Sequence, residues 1–508
     1  MTARVGLART KPSYAGLSAP FGPGAAYPEL AAFGDHRSPG SDDDAPNHVY
    51  AAVRAALAGA GLDEERFGSA DWDPLGSLVG PGARIVLKPN FIRHWNPCAE
   101  GTLASLITHG AVLRAMADYA WLAAGDGGSV VIAEAPQHDC DWDVVAANAG
   151  LDDLVRFYDE RIARRLEVID LRREVVRYAD GVIVQRRSLP GDPAGYRLVD
   201  LGERSAFHGS GLDPKRFRGA DYDAQPTTEH HTGGRHEYLL SETVLSSDLV
   251  VNLPKLKTHK KTGVTLALKN LVGINGDKNL LPHHCVGSAG AGGDEFPGEG
   301  RLDRVRSAAT EVARGLLRRR VGTRLVRWVR RAENAARASD FVRSGNWYGN
   351  RTTWRMCLDL NRALYYSDRS GTHFGAAAPV RTVLTVIDGV VAGEGEGPLA
   401  PTDRPLGVVL ASLDPIALDL AAVRLMGFDE TRIPKVWETL RTSTLRVSSV
   451  RDAADVVVHE IPFGDARSRV FGLEGLAEEP CFVAHPGWRG HLERRVRALA
   501  EEAVPCAG

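Results

Sequence analysis

Residues 81–91 read PGARIVLKPNF, and residues 110–134 read GAVLRAMADYAWLAAGDGGSVVIAE. The first holds a short apolar run between a glycine and a proline, which predicts a buried strand over 84–87. The second predicts a helix over 110–124, a GDGG turn, and another buried strand over 129–133. Strand, helix, strand in that order is the unit of a parallel sheet, because parallel neighbours need a crossover between them.

The same texture extends in both directions. Upstream, HVYAAVRAALAGA (48–60) is an amphipathic helix, and residues 1–47, rich in Gly, Pro, Ser and Asp, read as a flexible segment ending in a helix-start signal. Downstream, VIVQRRSL and YRLVDLG within 165–220 predict antiparallel strands beside the main sheet. SSDLVVNLPKLK is a further buried strand. Residues 286–300 form a glycine-rich loop, and 301–344 an arginine-rich helical stretch with one apolar face. TVLTVIDGVV and PLGVVLASL return to strand, DPIALDLAAVRLMG to helix, and 450–508 to a strand or two and a closing helix. The expected organisation is a flexible segment (1–47), the first part of an α/β core (48–285), the glycine-rich loop and Arg-rich helical insertion (286–345), and the second part of the core with a C-terminal helix (346–508). The fold class is α/β, with a mixed, mostly parallel sheet flanked by helices.

Composition removes several functions. The 508 residues carry a net charge of −2, so no global field favours nucleic acid or an anionic membrane. No segment reaches the ~18 apolar residues of a membrane span, and the N-terminus lacks a signal-peptide core, so the expected location is the cytoplasm. The six cysteines are scattered without a C-x-x-C pair, so no iron–sulfur cluster is expected.

Lysine is where the chemistry gathers. Ten lysines occur in the chain, and six lie between Lys255 and Lys278, in VVNLPKLKTHKKTGVTLALKNLVGINGDK. Arginine supplies the positive charge elsewhere. Lysine is a compact charge whose pKa falls readily on burial, which suits an acid–base group or an anion anchor. Lys255, Lys257 and His259 alternate along one face of an extended stretch, and Lys269 and Asn270 follow. Lys88 and Asn90 stand at a strand end beside Pro89, where they can hold a carboxylate or phosphate. Glu134 and Gln137, in EAPQHDCDWD (134–143), line the next loop. Asp388, Glu394 and Glu396 form an acidic group in VIDGVVAGEGEGP, a carboxylate set that hard divalent cations prefer. Asp414 reads as the cap of the helix that begins at Pro415, and Asp419 as a buried carboxylate in need of a lysine from the cluster. His230, His231 and His236 form a second set that reads equally as a metal site or a surface loop.

These segments together resemble one family, the bacterial and archaeal proteins grouped as domain of unknown function 362. The resemblance runs through GARIVLKPNF, VVIAEAPQHDCDWD, DLVVNLPKLKTHKKTGVTLALKNLVGING, SGNWYGNRTTWRMCLDLNRAL, VIDGVVAGEGEGP and LASLDPIALDLAAVRLMG, roughly residues 80–430. It implies an α/β protein; some members carry an appended ferredoxin domain, whose cysteine pattern this chain lacks.

The functional expectation is an enzyme of a biosynthetic pathway acting on a small anionic metabolite. Lys88, Asn90, Lys255, Asn270, Glu134 and Gln137 would bind it. Lys257, His259, Lys269 and Asp388 would carry out acid–base chemistry, giving isomerisation or elimination. The cofactor is not legible; a divalent metal on Asp388, Glu394 and Glu396 is the candidate. The alternatives are a metal-dependent oxidoreductase using the His/Glu stretch 229–237 with His230, His231 and His236, an ATP-dependent ligase-like protein, and a non-catalytic anion-binding protein.

Overall fold

The computed structural model describes residues 2–33, 46–180, 182–298, 300–319, 344–372, 378–461, 468–476 and 481–494. Among them, eleven strands form one sheet. Its parallel half runs Thr382–Glu396, Leu249–Asn252, Arg84–Lys88, Ser129–Glu134 and Glu167–Asp170. On the other side, Thr382–Glu396 pairs antiparallel with Ala400–Ser412, which pairs antiparallel with Ala3–Arg9. Val456–Ile461 then adds in parallel and Arg469–Gly472 closes the edge antiparallel. Lys255–His259 also lies parallel to Thr382–Glu396. The sheet is therefore mixed and mostly parallel where the sequence shows β–α–β order.

Period-two alternation sorts its side chains onto two faces. Ile85, Leu87, Val130, Ile132, Leu249 and Val251 pack with the helices His48–Gly59 and Gly110–Ala124. Val86, Val131 and Val250 face the opposite core with Thr353–Tyr366 and Pro415–Leu425. Covering both faces is what continuous apolar runs such as IVL require. The helix ends follow their caps. Asn47 Oδ1 accepts from the N–H groups of Val49 and Tyr50, both at 3.1 Å. Gly125 ends the Gly110–Ala124 helix at φ 59°, and Asp414 caps Pro415–Leu425.

The N-terminal expectation needs correcting. The segment read as flexible contributes Ala3–Arg9, a strand between Val456–Ile461 and Ala400–Ser412. Val5 and Leu7 are fully buried there. Gly and Pro around it gave the whole stretch a loop-like composition that hid seven ordered residues. Residues 34–45 of that segment lie outside the described residues. So do 320–343 of the arginine-rich stretch, described as the helix Arg301–Arg318, and 495–508, where the closing helix was expected. Among the described residues, no helix is long and apolar enough to cross a membrane.

Candidate functional site

Three parallel strands end at one edge of the sheet, and their last residues are Lys88, Glu134 and Asn252. Carboxyl ends of parallel strands are where open α/β sheets bind ligands. Pro89 follows Lys88, has no N–H to continue the ladder, and turns the chain. Lys88 Nζ donates to Glu134 Oε2 at 2.7 Å and to the Pro89 carbonyl at 2.7 Å. The Phe91 N–H adds a second donor to the same Glu134 oxygen at 3.2 Å. Burial outweighs Glu134 and holds the Lys88 pKa below its ordinary value. Gly273 lies against this pair so closely that a Cβ there would fall 1.9 Å from Glu134 Oε1 and 2.7 Å from Lys88 Nζ. Only glycine fits.

Beyond Glu134 opens a cavity of about 320 Å³, at the small end of the range for metabolite sites. Asn90, Glu134, Gln137, His259, Lys269 and Asn270 line it, six of the residues expected from sequence. Lys260, Lys261 and Lys278, His138, His283 and His284, and Arg314 complete its polar wall. Those seven were missed as site residues. The three lysines belong to the sequence cluster itself and carried the signal. Arg314 comes from the arginine-rich helix, which therefore reaches the site.

Electrostatics make the cavity a place for negative charge. Lys269 has no hydrogen-bond or ion-pair partner among the described residues, and burial lowers its pKa. Lys261 Nζ donates to the Ser344 carbonyl; burial first and then Lys260 bring its pKa to about 7. Lys278 Nζ donates to the Ala135 carbonyl at 2.6 Å, and burial brings it, too, to about 7. Lysines whose pKa values are lowered toward neutrality, gathered at one cavity, gain charge when an anion arrives.

Two imidazoles in the wall have opposite tautomers. His259 Nδ1 accepts the Lys261 N–H at 3.1 Å, so its proton sits on Nε2. His283 Nδ1 faces the Leu281 carbonyl at 2.8 Å and must donate, which leaves its Nε2 lone pair open. Both are neutral. Burial and then Lys269 push His259 well below its ordinary pKa, and burial with Lys261 takes His283 to about 3. The cavity thus holds a fixed donor and a fixed acceptor among amines that titrate near neutrality.

The other expected residues are not brought together here. Lys255 and Asp388 form their own buried pair at 2.9 Å, both fully buried. Tyr14 donates its hydroxyl to Asp388 Oδ1, the His109 N–H reaches Oδ2 at 3.0 Å, and Lys255 Nζ donates to Tyr14 at 2.8 Å. Tyr14 stacks on the His109 ring at 3.8 Å. This arrangement satisfies Asp388 and ties residues following the Ala3–Arg9 strand to the sheet. Lys257 is buried and donates to the Leu106 carbonyl. It does not line the cavity, because the pairing with Thr382–Glu396 shifts register between Lys255, opposite Asp388, and Lys257, opposite Gly393. Lys88 stands behind Glu134 as its counterion. The expectation that Lys88, Lys255, Lys257 and Asp388 share the ligand cavity is therefore corrected.

Both metal sets are corrected as well. Glu394 lies six residues along the strand from Asp388, about 20 Å at ~3.3 Å per residue, and accepts the Val483 N–H at 3.0 Å. Glu396 is exposed. His231 and His236 meet each other at 3.3 Å, and His230 meets Glu237 at 2.7 Å, away from the cavity. Among the described residues no group of three or more His, Cys, Asp or Glu is arranged to hold a metal ion. Asp419 has a lysine partner, but it is Lys435 at 3.1 Å and not one from the cluster.

Two comparisons bear on these residues. A thylakoid-associated protein of Synechocystis sp., sll1697, is 24% identical over 218 residues, 43% of this chain and 43% of that protein. The chain thus matches less than half the length of that relative. Residues 173–424 match the model of a family described as a domain of unknown function (DUF362). That range includes the lysine cluster, His283, Arg314 and Asp388, and begins after Lys88, Asn90, Glu134 and Gln137. Residues 173–424, just under half of the chain, thus carry the sequence features of the domain of unknown function 362 family.

Proposed function

We propose that the protein is an enzyme for a small anionic metabolite, a carboxylate or phosphate, and that its chemistry is proton transfer next to the anionic group. One observation carries the reading: Lys269, without a partner among the described residues, and His259, whose Nδ1 accepts the Lys261 N–H, line the same cavity as two lysines with pKa values of about 7. A base near neutrality and a fixed hydrogen-bond donor in one site are parts that acid–base catalysis needs.

In this reading Lys269 and Arg314 take the anionic group. The neutral amine of Lys261 or Lys278 removes a proton from the carbon beside it. The carbanion's charge spreads onto the anionic group, where the ammonium of Lys269 stabilises it. The lysine ammonium so formed then returns its proton to a neighbouring carbon, which gives isomerisation, or to a departing oxygen, which gives elimination, while neutral His259 donates a hydrogen bond from Nε2.

The test is deuterium exchange. Small carboxylates and keto acids that bind the protein are incubated with it in D₂O and followed by NMR. The reading expects deuterium to enter beside the carboxylate of at least one, and the exchange to be lost in Lys269→Met and His259→Gln. Tight binding of such anions with no exchange in any of them would favour a non-catalytic binding protein.

A further inference from the structure

Lys269 stands apart from its neighbours in the lysine cluster. Lys255 is paired with Asp388, and Lys257, Lys261 and Lys278 each donate to a carbonyl, of Leu106, Ser344 and Ala135 in turn. Lys269 has no hydrogen-bond or ion-pair partner among the described residues, and it is half-buried in the cavity wall. Its amine is therefore open to a ligand. A lysine enclosed by protein without a carboxylate of its own is costly to keep charged. Burial is the main reason its pKa falls, and the charges of Lys435 and Lys88 push the same way. Glu134 opposes them but is already paired with Lys88. Cys357 would oppose them only as a thiolate, and burial raises its own pKa. An anion anchor gains from permanent charge, and Arg314 lines the same cavity with one. An amine set among cations and free of hydrogen bonds is instead the activated form of a nucleophile.

We infer that Lys269 is a Schiff-base lysine: its Nζ bonds covalently to the carbonyl carbon of a small ketone or aldehyde whose carboxylate or phosphate meets Arg314. This inference rests on the anion-binding reading above and narrows the substrate to an anion that also carries a carbonyl. The step balances without an oxidant. The Nζ lone pair adds to the carbonyl carbon while the C=O π pair moves to oxygen. That oxygen takes one proton from the nitrogen and one from the ammonium form of Lys261 or Lys278, and leaves as water as the nitrogen lone pair closes the C=N bond. The resulting iminium is a positive charge bonded to the carbon skeleton. It accepts the electron pair when a proton leaves the adjacent carbon, and the amine just formed on Lys261 or Lys278 is the base that removes it.

Reductive trapping tests it. The protein is incubated at neutral pH with pyruvate, 2-oxoglutarate, acetoacetate or dihydroxyacetone phosphate, quenched with sodium borohydride, and read by intact mass and peptide mapping. At least one of the four is expected to add a single copy, a gain equal to the mass of the compound less one oxygen atom, on the peptide that carries Lys269. The gain should be lost in Lys269→Met, checked for a normal melting transition; the mapped position in the wild-type protein decides the matter even where that variant folds poorly. No adduct with any of the four, or adducts only on other lysines, would overturn the inference. Calorimetric titration with sulfate separates the two readings: sulfate binding without any adduct leaves the anion site intact, whereas failure of sulfate to bind as well would remove the anion reading along with this one.

Discussion

Binding of a dianion should draw protons into the protein, and the amount follows from two lysines. In the ligand-free cavity Lys261 and Lys278 have pKa values of about 7. A bound anion replaces the solvation they lost and returns them toward the ordinary lysine value, so both are charged in the complex. At pH 6 each is about 90% charged before binding, and at pH 8 only about 10%. Affinity should therefore fall about tenfold per lysine, roughly a hundredfold for the two, between pH 6 and pH 8. Sulfate is the right probe, because it stays a dianion throughout. Calorimetry at pH 8 in buffers of different ionisation enthalpy should show uptake of about two protons per sulfate bound. An affinity flat across this range, with no buffer dependence of the heat, would refute the electrostatic account of the cavity.

Three further outcomes follow. Without ligand, unfolded lysines hold protons up to about pH 10 that folded Lys261 and Lys278 release near 7, so the unfolded state binds more protons. Stability should then rise with pH, by about 2 kcal/mol between pH 7 and pH 8 for the pair, as read by urea unfolding; stability falling over that interval would contradict their burial. Lys88→Met leaves Glu134 buried without its counterion and should cost about 3–5 kcal/mol, while the Lys88→Met/Glu134→Gln double variant should recover much of it. Gly273→Ala should displace the Lys88–Glu134 pair and weaken sulfate binding at least tenfold in the same titration; unchanged affinity would show that the approach of Gly273 to Glu134 is not needed.

Local signals were legible in the sequence, and pairings were not. The IVL run, the Gly110–Ala124 helix and the strand ends at Lys88 and Glu134 follow from apolar spacing and from Pro89, which act over a few residues. The lysine cluster marked the right edge of the sheet for the same reason. Which lysine meets which carboxylate depends on tertiary register. A shift of pairing between Lys255 and Lys257 sends one to Asp388 and the other to the Leu106 carbonyl. Asp419 meets Lys435, distant from the cluster in sequence. Tyr14, which completes the Asp388 site, lies in a segment whose composition resembles a linker. Arg314 sits on a helix whose periodicity describes its own apolar face and says nothing of the cavity it borders.

The most direct test of the central claim is where an oxyanion sits. Crystals soaked in tungstate, a dianion with a strong anomalous signal, should show a peak in the cavity within hydrogen-bonding reach of Lys269 Nζ, about 3 Å, and the peak should vanish in Lys269→Met. Tungstate bound only on outer surfaces, with the cavity empty in the wild-type protein, would contradict the account.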